Sequence, residues 1–217
     1  MMNELTLIQR IVVWILPVVF AITVHEVAHG WVAKQYGDDT AARQGRLTLN
    51  PLKHIDPIGT LLIPGLMLIT FTGFIFGWAK PVPVDFSRLR HPRRAMAWVA
   101  LAGPLANILM ATGWAMLARL GVTWQWEYVS LPLIYMGIAG ISINLVLALL
   151  NLLPIPPLDG SRVISALLPL RWAWYYNRLE RFGFVLLLLL MISGSLSTAL
   201  GYPLYLTQNW FFTLAGL

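Results

Sequence analysis

Long apolar runs constrain this chain more than any other feature of its sequence. Four of them approach the ~20 residues that a helix needs to cross a bilayer. They occupy residues 11–33, 96–119, 132–153 and 183–200. Only 11% of the 217 residues are charged, whereas a soluble domain carries roughly a quarter. The sequence therefore predicts an all-α, multi-pass membrane protein that forms a single domain over residues 1–217.

Two weaker runs bring the predicted number of transmembrane helices to about five or six. Residues 58–76 are apolar but interrupted by a Pro-Gly pair, and residues 203–217 are short enough to form a partial span or an interfacial helix. The first apolar run lacks a small-residue cleavage site, so we expect a retained first span and not a signal peptide. A core over about 8–168 and C-terminal spans over 183–217 follow from this division.

Basic residues predict the orientation of the chain in the membrane. Most of the lysines and arginines fall in segments 34–57, 77–95 and 160–182, and the connection 120–131 has none. The positive-inside rule places the three basic segments in the cytoplasm and 120–131 outside. The net charge of +6 is then loop charge and does not indicate a nucleic-acid partner.

This orientation predicts an unusual path for residues 58–76. If segments 34–57 and 77–95 lie on one side, the intervening run cannot cross the membrane once. We expect a re-entrant helix followed by an extended, β-like return through "GWAKPVPV" (77–84), in which the prolines favour extended backbone. The alternative is an ordinary span that departs from the charge rule.

The motif "HEVAH" (25–29) places ionisable residues inside the first span. His25 and His29 are four residues apart, so they share one helix face and can bind one Zn²⁺. Glu26 can act as general base toward a metal-bound water. Two helix histidines satisfied by carbonyls would be the alternative, but ionisable residues are costly in a membrane and favour a functional interpretation.

A catalytic zinc needs a third protein ligand, and with no cysteine in the chain it must be another histidine or an acid. Asp159 follows a span broken by three prolines, which aims its carboxylate at the side where His25 and His29 lie. The alternative role for Asp159 is that of a helix N-cap. The other acids have simpler interpretations: Asp38 and Asp39 as solvated loop charges, Asp85 and Glu180 as surface ion pairs, Asp56 as a turn or cap.

Together, "HEVAH" in one span, "GPLAN" (103–107) in another and "NLLPIPPLDG" (151–160) at the end of a later one resemble the site-2 protease family of intramembrane zinc metalloproteases. The resemblance implies His25, His29 and Asp159 as ligands of one Zn²⁺ per chain and Glu26 as catalytic base. It also implies that Asn151 holds substrate or the oxyanion. The stretches "NPLKHIDPIGT" (50–60) and 77–84 resemble the compact bacterial subgroup, and the chain has no room for a PDZ or CBS domain.

Substrate contacts are predicted outside the metal motif. A transmembrane substrate must unwind before its carbonyls can be attacked, and the edge formed by Lys80, Pro81, Val82 and Pro83 is expected to pair with the unwound segment. His54 is expected to approach the metal side as a substrate-gating group, unless it is a solvated loop residue.

The remaining polar and small residues of the spans receive structural interpretations. Asn107 and Asn144 are expected to form hydrogen bonds between helices. Gly103, Ala106 and Gly113 are expected to allow close helix packing. The cluster "RWAWYYNR" (171–178) is typical of an interfacial anchor.

These observations predict a metalloendopeptidase of the bacterial cytoplasmic membrane, with its active site toward the cytoplasm. Its partners would be a transmembrane protein substrate and membrane lipid. Two alternatives remain open at this point. One is a membrane metalloprotease whose third ligand is a glutamate such as Glu180. The other is a non-catalytic membrane protein that carries metal or binds partners.

Overall fold

The structure, a computed structural model, describes residues 5–62, 77 and 79–217. Within these ranges the chain forms eight α-helices and no β-strand. The helices are α1 (Leu7–Gln35), α2 (Thr40–Arg43), α3 (Pro92–Trp124), α4 (Ser130–Asn151), α5 (Asp159–Leu167), α6 (Leu170–Asn177), α7 (Glu180–Ile192) and α8 (Ser195–Ala215). The predicted all-α membrane fold is confirmed.

Helix α1 begins at a capping box and carries the histidine motif in its second half. The Thr6 hydroxyl accepts a hydrogen bond from the Gln9 amide, and the Gln9 side chain accepts one from the Thr6 amide. These two bonds satisfy backbone donors that a helix N-terminus leaves free. The helix has 29 residues, which at ~1.5 Å per residue exceeds the ~30 Å hydrocarbon core. His25 and His29 therefore lie on a continuous helix and not at its end.

The described residues contain fewer spans than the five or six predicted. Helices α1, α3 and α4 are each long and apolar enough to cross a membrane. Helices α7 and α8 pass the same test only as a pair, with a bend of 76° between them. The described part of the chain thus holds three candidate spans, or four if the bent pair counts as one.

The C-terminal runs are divided differently from the prediction. The predicted span 183–200 is interrupted, because α7 ends at Ile192 and α8 begins at Ser195. Gly194 lies at the break with φ +73°, a left-handed conformation that glycine adopts without a steric penalty. The run 203–217 is consequently part of α8 and not a separate short helix.

Of the predicted re-entrant segment 58–76, residues 63–76 lie outside the described residues. Its start forms a π-helical turn, Pro57–Leu62. On the return path, the segment 79–85 is neither helix nor strand, so the β-like return is irregular backbone where the structure describes it.

Helices α1, α3 and α4 pack against one another, and α8 packs against α3 and α4. Alanines at every third or fourth position of α3 meet larger side chains of α4 and α8, an arrangement that lets membrane helices approach closely. The buried cluster consists of Ala111, Ala115, Ala118, Ile141, Leu145, Phe211 and Ala215.

The prediction that Gly113 allows close helix packing is wrong. Gly113 is exposed on α3, and a Cβ atom added there would meet no described residue beyond its own stretch of helix within 4 Å. Gly103, ten residues earlier on the same helix, does lie at a close contact, and that contact is with the histidines of α1.

Candidate metal centre

Three potential ligands converge between α1 and α5. The Nε2 atoms of His25 and His29 lie 3.0 Å apart, and each is 3.3 Å from Oδ2 of Asp159. All three side chains are largely buried, with exposed fractions of 9%, 12% and 16%. Among the described residues, this is the group of histidines and acids that could hold a metal ion.

The outer nitrogens of both histidines are occupied by acceptors. Nδ1 of His25 lies 2.5 Å from Oδ1 of Asn107, and Nδ1 of His29 lies 2.6 Å from the carbonyl oxygen of Val99. Because oxygen accepts in both contacts, Nδ1 carries the proton in each neutral ring and Nε2 presents a lone pair.

This protonation pattern makes the centre suited to a cation. Two imidazole lone pairs and a carboxylate oxygen face one another at 3.0–3.3 Å, which is repulsive unless a cation lies between them. Oδ2 of Asp159 is buried and has no hydrogen-bond partner among the described residues. Two histidines and a carboxylate are also a common protein ligand set for catalytic zinc. The residues present therefore fit the predicted Zn²⁺.

Helix α3 forms the wall behind the histidines. Val99, Gly103 and Asn107 follow one another at intervals of four, so they lie on one face of the helix. A Cβ atom at Gly103 would lie 2.5 Å from the rings of both His25 and His29. Only a residue without a side chain leaves room for the ligands at this position.

Asn107 also connects the centre to α4. Its Nδ2 donates to Oδ1 of Asn144 at 2.8 Å and to the carbonyl of Ala21 at 3.2 Å, while Asn144 donates to the carbonyl of Gly140. Both asparagines are fully buried. They form the predicted hydrogen bond between helices. The second role of Asn107, which is to hold a ligand histidine, was not predicted, although its spacing of four from Gly103 was a signal.

Asp159 reaches the histidines through the turn that follows α4. The helix ends at Asn151, and three prolines in the next six residues prevent its continuation. Gly160 then packs against the end of α4, because a Cβ atom there would lie 2.2 Å from the carbonyl oxygen of Leu152. The N-cap of α5 is Leu158, without a side-chain hydrogen bond, so Asp159 does not have the alternative capping role.

Glu26 lies beside the ligand group and contacts a different segment. Its Oε2 accepts a hydrogen bond of 2.8 Å from the backbone amide of Val82. The carboxylate is half-buried, and it is one residue from His25 along α1. The predicted base thus lies beside the potential metal ligands on α1 and contacts segment 79–85.

The other predicted substrate residues lie around this segment and at the end of α4. Lys80 donates its amide to the carbonyl of His54 at 2.9 Å. The carbonyls of Lys80 and Pro81 accept from Arg46, and Pro83 is half-buried. Asn151 donates its side-chain amide to the carbonyl of Leu147 at 3.0 Å.

His54 is not a solvated loop residue, since it is 2% exposed. Its Nε2 lies 2.9 Å from the carbonyl of Thr48, and its Nδ1 has no partner among the described residues. It supports the loop that precedes Pro57 and, through its own carbonyl, the backbone of Lys80. It is not among the residues of the metal group.

The remaining acids are used elsewhere, and one differs from its predicted role. Asp38 is 1% exposed and accepts from the amides of Thr40 and Asp85, so it is not a solvated charge. Asp39 is partly exposed, and the hydrogen bond that it accepts from Arg43 lowers the pKa of its carboxyl. Glu180 lies 3.6 Å from Arg162 on α5, and it is not among the residues of the metal group.

A cavity of about 220 Å³ opens beside the N-terminal turn of α5. Its lining includes Ser161 and Arg162, which follow Asp159 closely in the chain, and Glu180 of α7. The guanidinium of Arg162 also lies 5.0 Å from the ring centre of Phe86. The cavity, whose lining is partly polar, brings a space large enough for water near the helix that carries Asp159.

Similar proteins are known by sequence. The chain is 41% identical over 182 residues to "Putative zinc metalloprotease YwhC" of Bacillus subtilis, covering 82% of this chain and 80% of that protein. It is 31% identical over 199 residues to "Putative zinc metalloprotease Rip2" of Mycolicibacterium smegmatis, covering 91% and 71%. A third relative, "Putative zinc metalloprotease MJ0611" of Methanocaldococcus jannaschii, is 29% identical over 65% of this chain and 63% of its own length. No family model matches the chain, and no solved structure matches it.

Proposed function

Since the chain belongs to the family of YwhC and Rip2, we propose that it is an intramembrane zinc endopeptidase. It hydrolyses peptide bonds within or near the transmembrane segments of other membrane proteins. The observation that carries this proposal is the meeting of three potential metal ligands, His25, His29 and Asp159, inside a bundle of apolar helices, with Glu26 beside them.

His25, His29 and Asp159 would hold the zinc ion. Bound there, Zn²⁺ supplies a Lewis acid that polarises a carbonyl and makes water nucleophilic near neutral pH. Val99 and Asn107 keep the two imidazoles in the orientation that presents Nε2 to the centre. Gly103 leaves the space in which the rings meet.

Glu26 has the role of general base and acid. Its carboxylate takes a proton from the attacking water and passes that proton to the amine nitrogen that leaves when the peptide bond breaks. The hydrogen bond from Val82 restricts the carboxylate to one orientation beside the ligand group. Asn151 would donate a hydrogen bond to the developing oxyanion or to the substrate backbone, after exchanging its present partner on α4.

Segment 79–85 is the proposed docking edge for the substrate. A helical substrate must unwind locally, which frees backbone groups that need partners inside the membrane. Pro81 and Pro83 have no amide hydrogen, and the amide of Val82 already donates to Glu26, so pairing would use carbonyls of the segment and the amide of Val84. The amide of Val84 has no partner among the described residues.

The proposed location is the bacterial cytoplasmic membrane, with the centre toward the cytoplasm. Support comes from the basic segments 34–57, 77–95 and 160–182, which flank the cytoplasmic ends of α1 and α3 and surround α5 in the proposed orientation. Protein substrates with a transmembrane segment and membrane lipid are the partners that this position implies.

The test pairs zinc content with cleavage of a model single-span substrate by the detergent-purified protein. About one zinc per chain in wild type and Glu26→Gln, with cleavage by wild type only, is the expected result. Zinc in both proteins with equal cleavage would remove Glu26 from the mechanism. Zinc in neither protein would contradict the metal centre.

The same assay separates the two candidate third ligands. Asp159→Ala should lose the zinc, because it leaves only two protein ligands. Glu180→Ala should retain it, because Glu180 pairs with Arg162 at 3.6 Å. The opposite pattern would assign the third ligand to Glu180.

A further inference from the structure

Segment 79–85 is attached to the rest of the protein by its backbone, and each attachment lies within three residues of Val82. The amide of Lys80 donates to the carbonyl of His54. The carbonyls of Lys80 and Pro81 accept from one atom, Nη2 of Arg46, at 2.9 and 3.3 Å. The next amide along the chain is that of Val82, and it donates to Glu26. Arg46 and Glu26 therefore form hydrogen bonds with the same short piece of backbone.

Arg46 is an unusual residue for a loop. It is only 8% exposed, and no carboxylate of the described residues lies within the 4.0 Å of an ion pair with it. Its Nε is buried and has no hydrogen-bond partner among those residues. Burying a guanidinium without a counter-ion is costly, and two carbonyl groups are the compensation that the structure provides. Proteins retain an energetic cost of this kind where the buried group maintains a geometry that is needed.

The side chain of Val82 is fixed on α1 as well. Val82 is 7% exposed, and it packs at Gly30, the residue after His29. A Cβ atom at Gly30 would lie 2.7 Å from Cγ1 of Val82 and 2.6 Å from Cδ2 of Leu47, the residue after Arg46. Val82 and Leu47, the residue after Arg46, thus both pack against α1 at Gly30, one turn from Glu26.

We propose that Arg46 is a positioning residue for Glu26, which it orients through the Lys80–Pro81 carbonyls and the amide of Val82. By holding these carbonyls, Arg46 fixes the peptide plane that ends in the Val82 amide. That amide then holds the base beside the metal ligands. A base displaced by about 1 Å can lose on the order of a hundredfold in rate, so such a support has a measurable value. The catalytic part of this inference rests on the proposed function, but the contact itself does not.

Hydrogen–deuterium exchange tests the contact without any activity. Pro81 and Pro83 have no amide hydrogen, so Val82 is the only exchanging amide in residues 81–83. Its exchange should accelerate at least about tenfold in Glu26→Ala, which removes the acceptor, and in Arg46→Ala, which removes the support. Arg43→Ala is the matched control, because Arg43 lies only three residues before Arg46, at the end of α2, but is exposed and pairs with Asp39 at 2.7 Å.

The outcomes of this measurement are distinct. Faster exchange of Val82 in Arg46→Ala and Glu26→Ala, but not in Arg43→Ala, supports the proposal. Unchanged exchange of Val82 in Arg46→Ala overturns it. If exchange in Arg46→Ala rises throughout α1 and α3 as well, Arg46→Met decides, because methionine keeps much of the side-chain bulk but has no donor for the two carbonyls. A local change at Val82 then supports the proposal, and no change overturns it.

Kinetics test the consequence. In Arg46→Ala, kcat should fall at least about tenfold at unchanged zinc content, and added guanidinium ion should restore part of it. Guanidinium should not rescue Glu26→Gln, which retains Arg46. A raised KM at unchanged kcat would overturn the positioning role and assign Arg46 to substrate docking. A wild-type protein that cleaves nothing, with exchange as expected, would contradict the proposed function and leave the Arg46–Val82–Glu26 contact intact.

Discussion

Two glycines of one helix, Gly103 and Gly113, show how far a residue's surroundings decide its role. Both lie on α3, and both were expected to allow close packing. A Cβ atom at Gly103 would lie 2.5 Å from the rings of His25 and His29, whereas one at Gly113 would meet no described residue beyond its own stretch of helix within 4 Å. The pair therefore offers a controlled substitution, in which the same chemical change is made inside and outside the metal centre.

We predict that Gly103→Ala abolishes zinc binding and that Gly113→Ala does not. The methyl group at position 103 has to displace a ligand ring, while the one at position 113 stabilises α3 by up to ~1 kcal/mol, since alanine favours a helix more than glycine does. Metal analysis after dialysis and thermal unfolding in detergent measure the two effects. Zinc retained by Gly103→Ala at wild-type stoichiometry would contradict the arrangement of α1 and α3.

At the scale of secondary-structure elements, the turn that carries Asp159 is supported by α6. The hydroxyl of Tyr176 donates a hydrogen bond of 2.6 Å to the carbonyl of Pro154, five residues before the ligand. The same helix exposes Trp172 and Trp174, and the guanidinium of Arg178 lies 3.5 Å from the ring centre of Trp174. Exposed aromatic side chains beside an arginine are typical of an interfacial anchor, which is the role predicted for this helix.

We predict that Tyr176→Phe lowers zinc affinity about tenfold, because the turn loses the bond that holds the Pro154 carbonyl. Tyr175→Phe is the matched control, since Tyr175 is 62% exposed on the same helix. Competition with a chromogenic chelator measures the affinity. Equal affinities in the two variants would show that α6 does not support Asp159.

The pH dependence of this support follows from the burial of Tyr176. Burial raises the pKa of its hydroxyl above the ordinary value of about 10. A raised pKa means that the folded protein favours the protonated form, which is the form that donates to Pro154. The Tyr176–Pro154 contact should therefore persist at neutral and mildly alkaline pH and weaken only as pH rises beyond about 10.

For the whole molecule, the metal is expected to act as a cross-link. His25 and His29 belong to the first helix and Asp159 to the fifth, and α3 and α4 lie between them in the chain. A ligand that binds only the folded protein stabilises it by about 2.7 kcal/mol when present at a hundred times its dissociation constant. Zinc should thus stabilise the bundle and not only the active site.

We predict that removal of zinc with a chelator lowers the unfolding temperature of the detergent-solubilised protein and that added zinc restores it. Asp159→Ala should unfold at the temperature of the zinc-free wild type, with no response to zinc. Glu180→Ala should respond as wild type does. An unfolding temperature independent of zinc in wild type would contradict a bound structural cross-link.

The periodicity of the sequence predicted much of the fold and of the site. Three of the four strong apolar runs coincide with α1, α3 and α4, because helix length in a bilayer is fixed by the rise per residue. The spacing of four in "HEVAH" placed His25 and His29 on one face, since 3.6 residues complete a turn. The family resemblance drawn from the motifs is confirmed by relatives such as YwhC. All of these are local properties of a chain, so its residue order is sufficient to determine them.

Contacts between distant segments were decided only by the tertiary structure. The sequence offered Asp159 as a ligand but could not exclude its capping role, and it gave no sign that Val82 binds Glu26 or that Asp38 and Arg46 are buried. The break of the last apolar run at Gly194 was missed for the same reason, because many glycines occur within continuous helices. Such features depend on which helix faces meet and on what surrounds each polar group, and packing in three dimensions settles both.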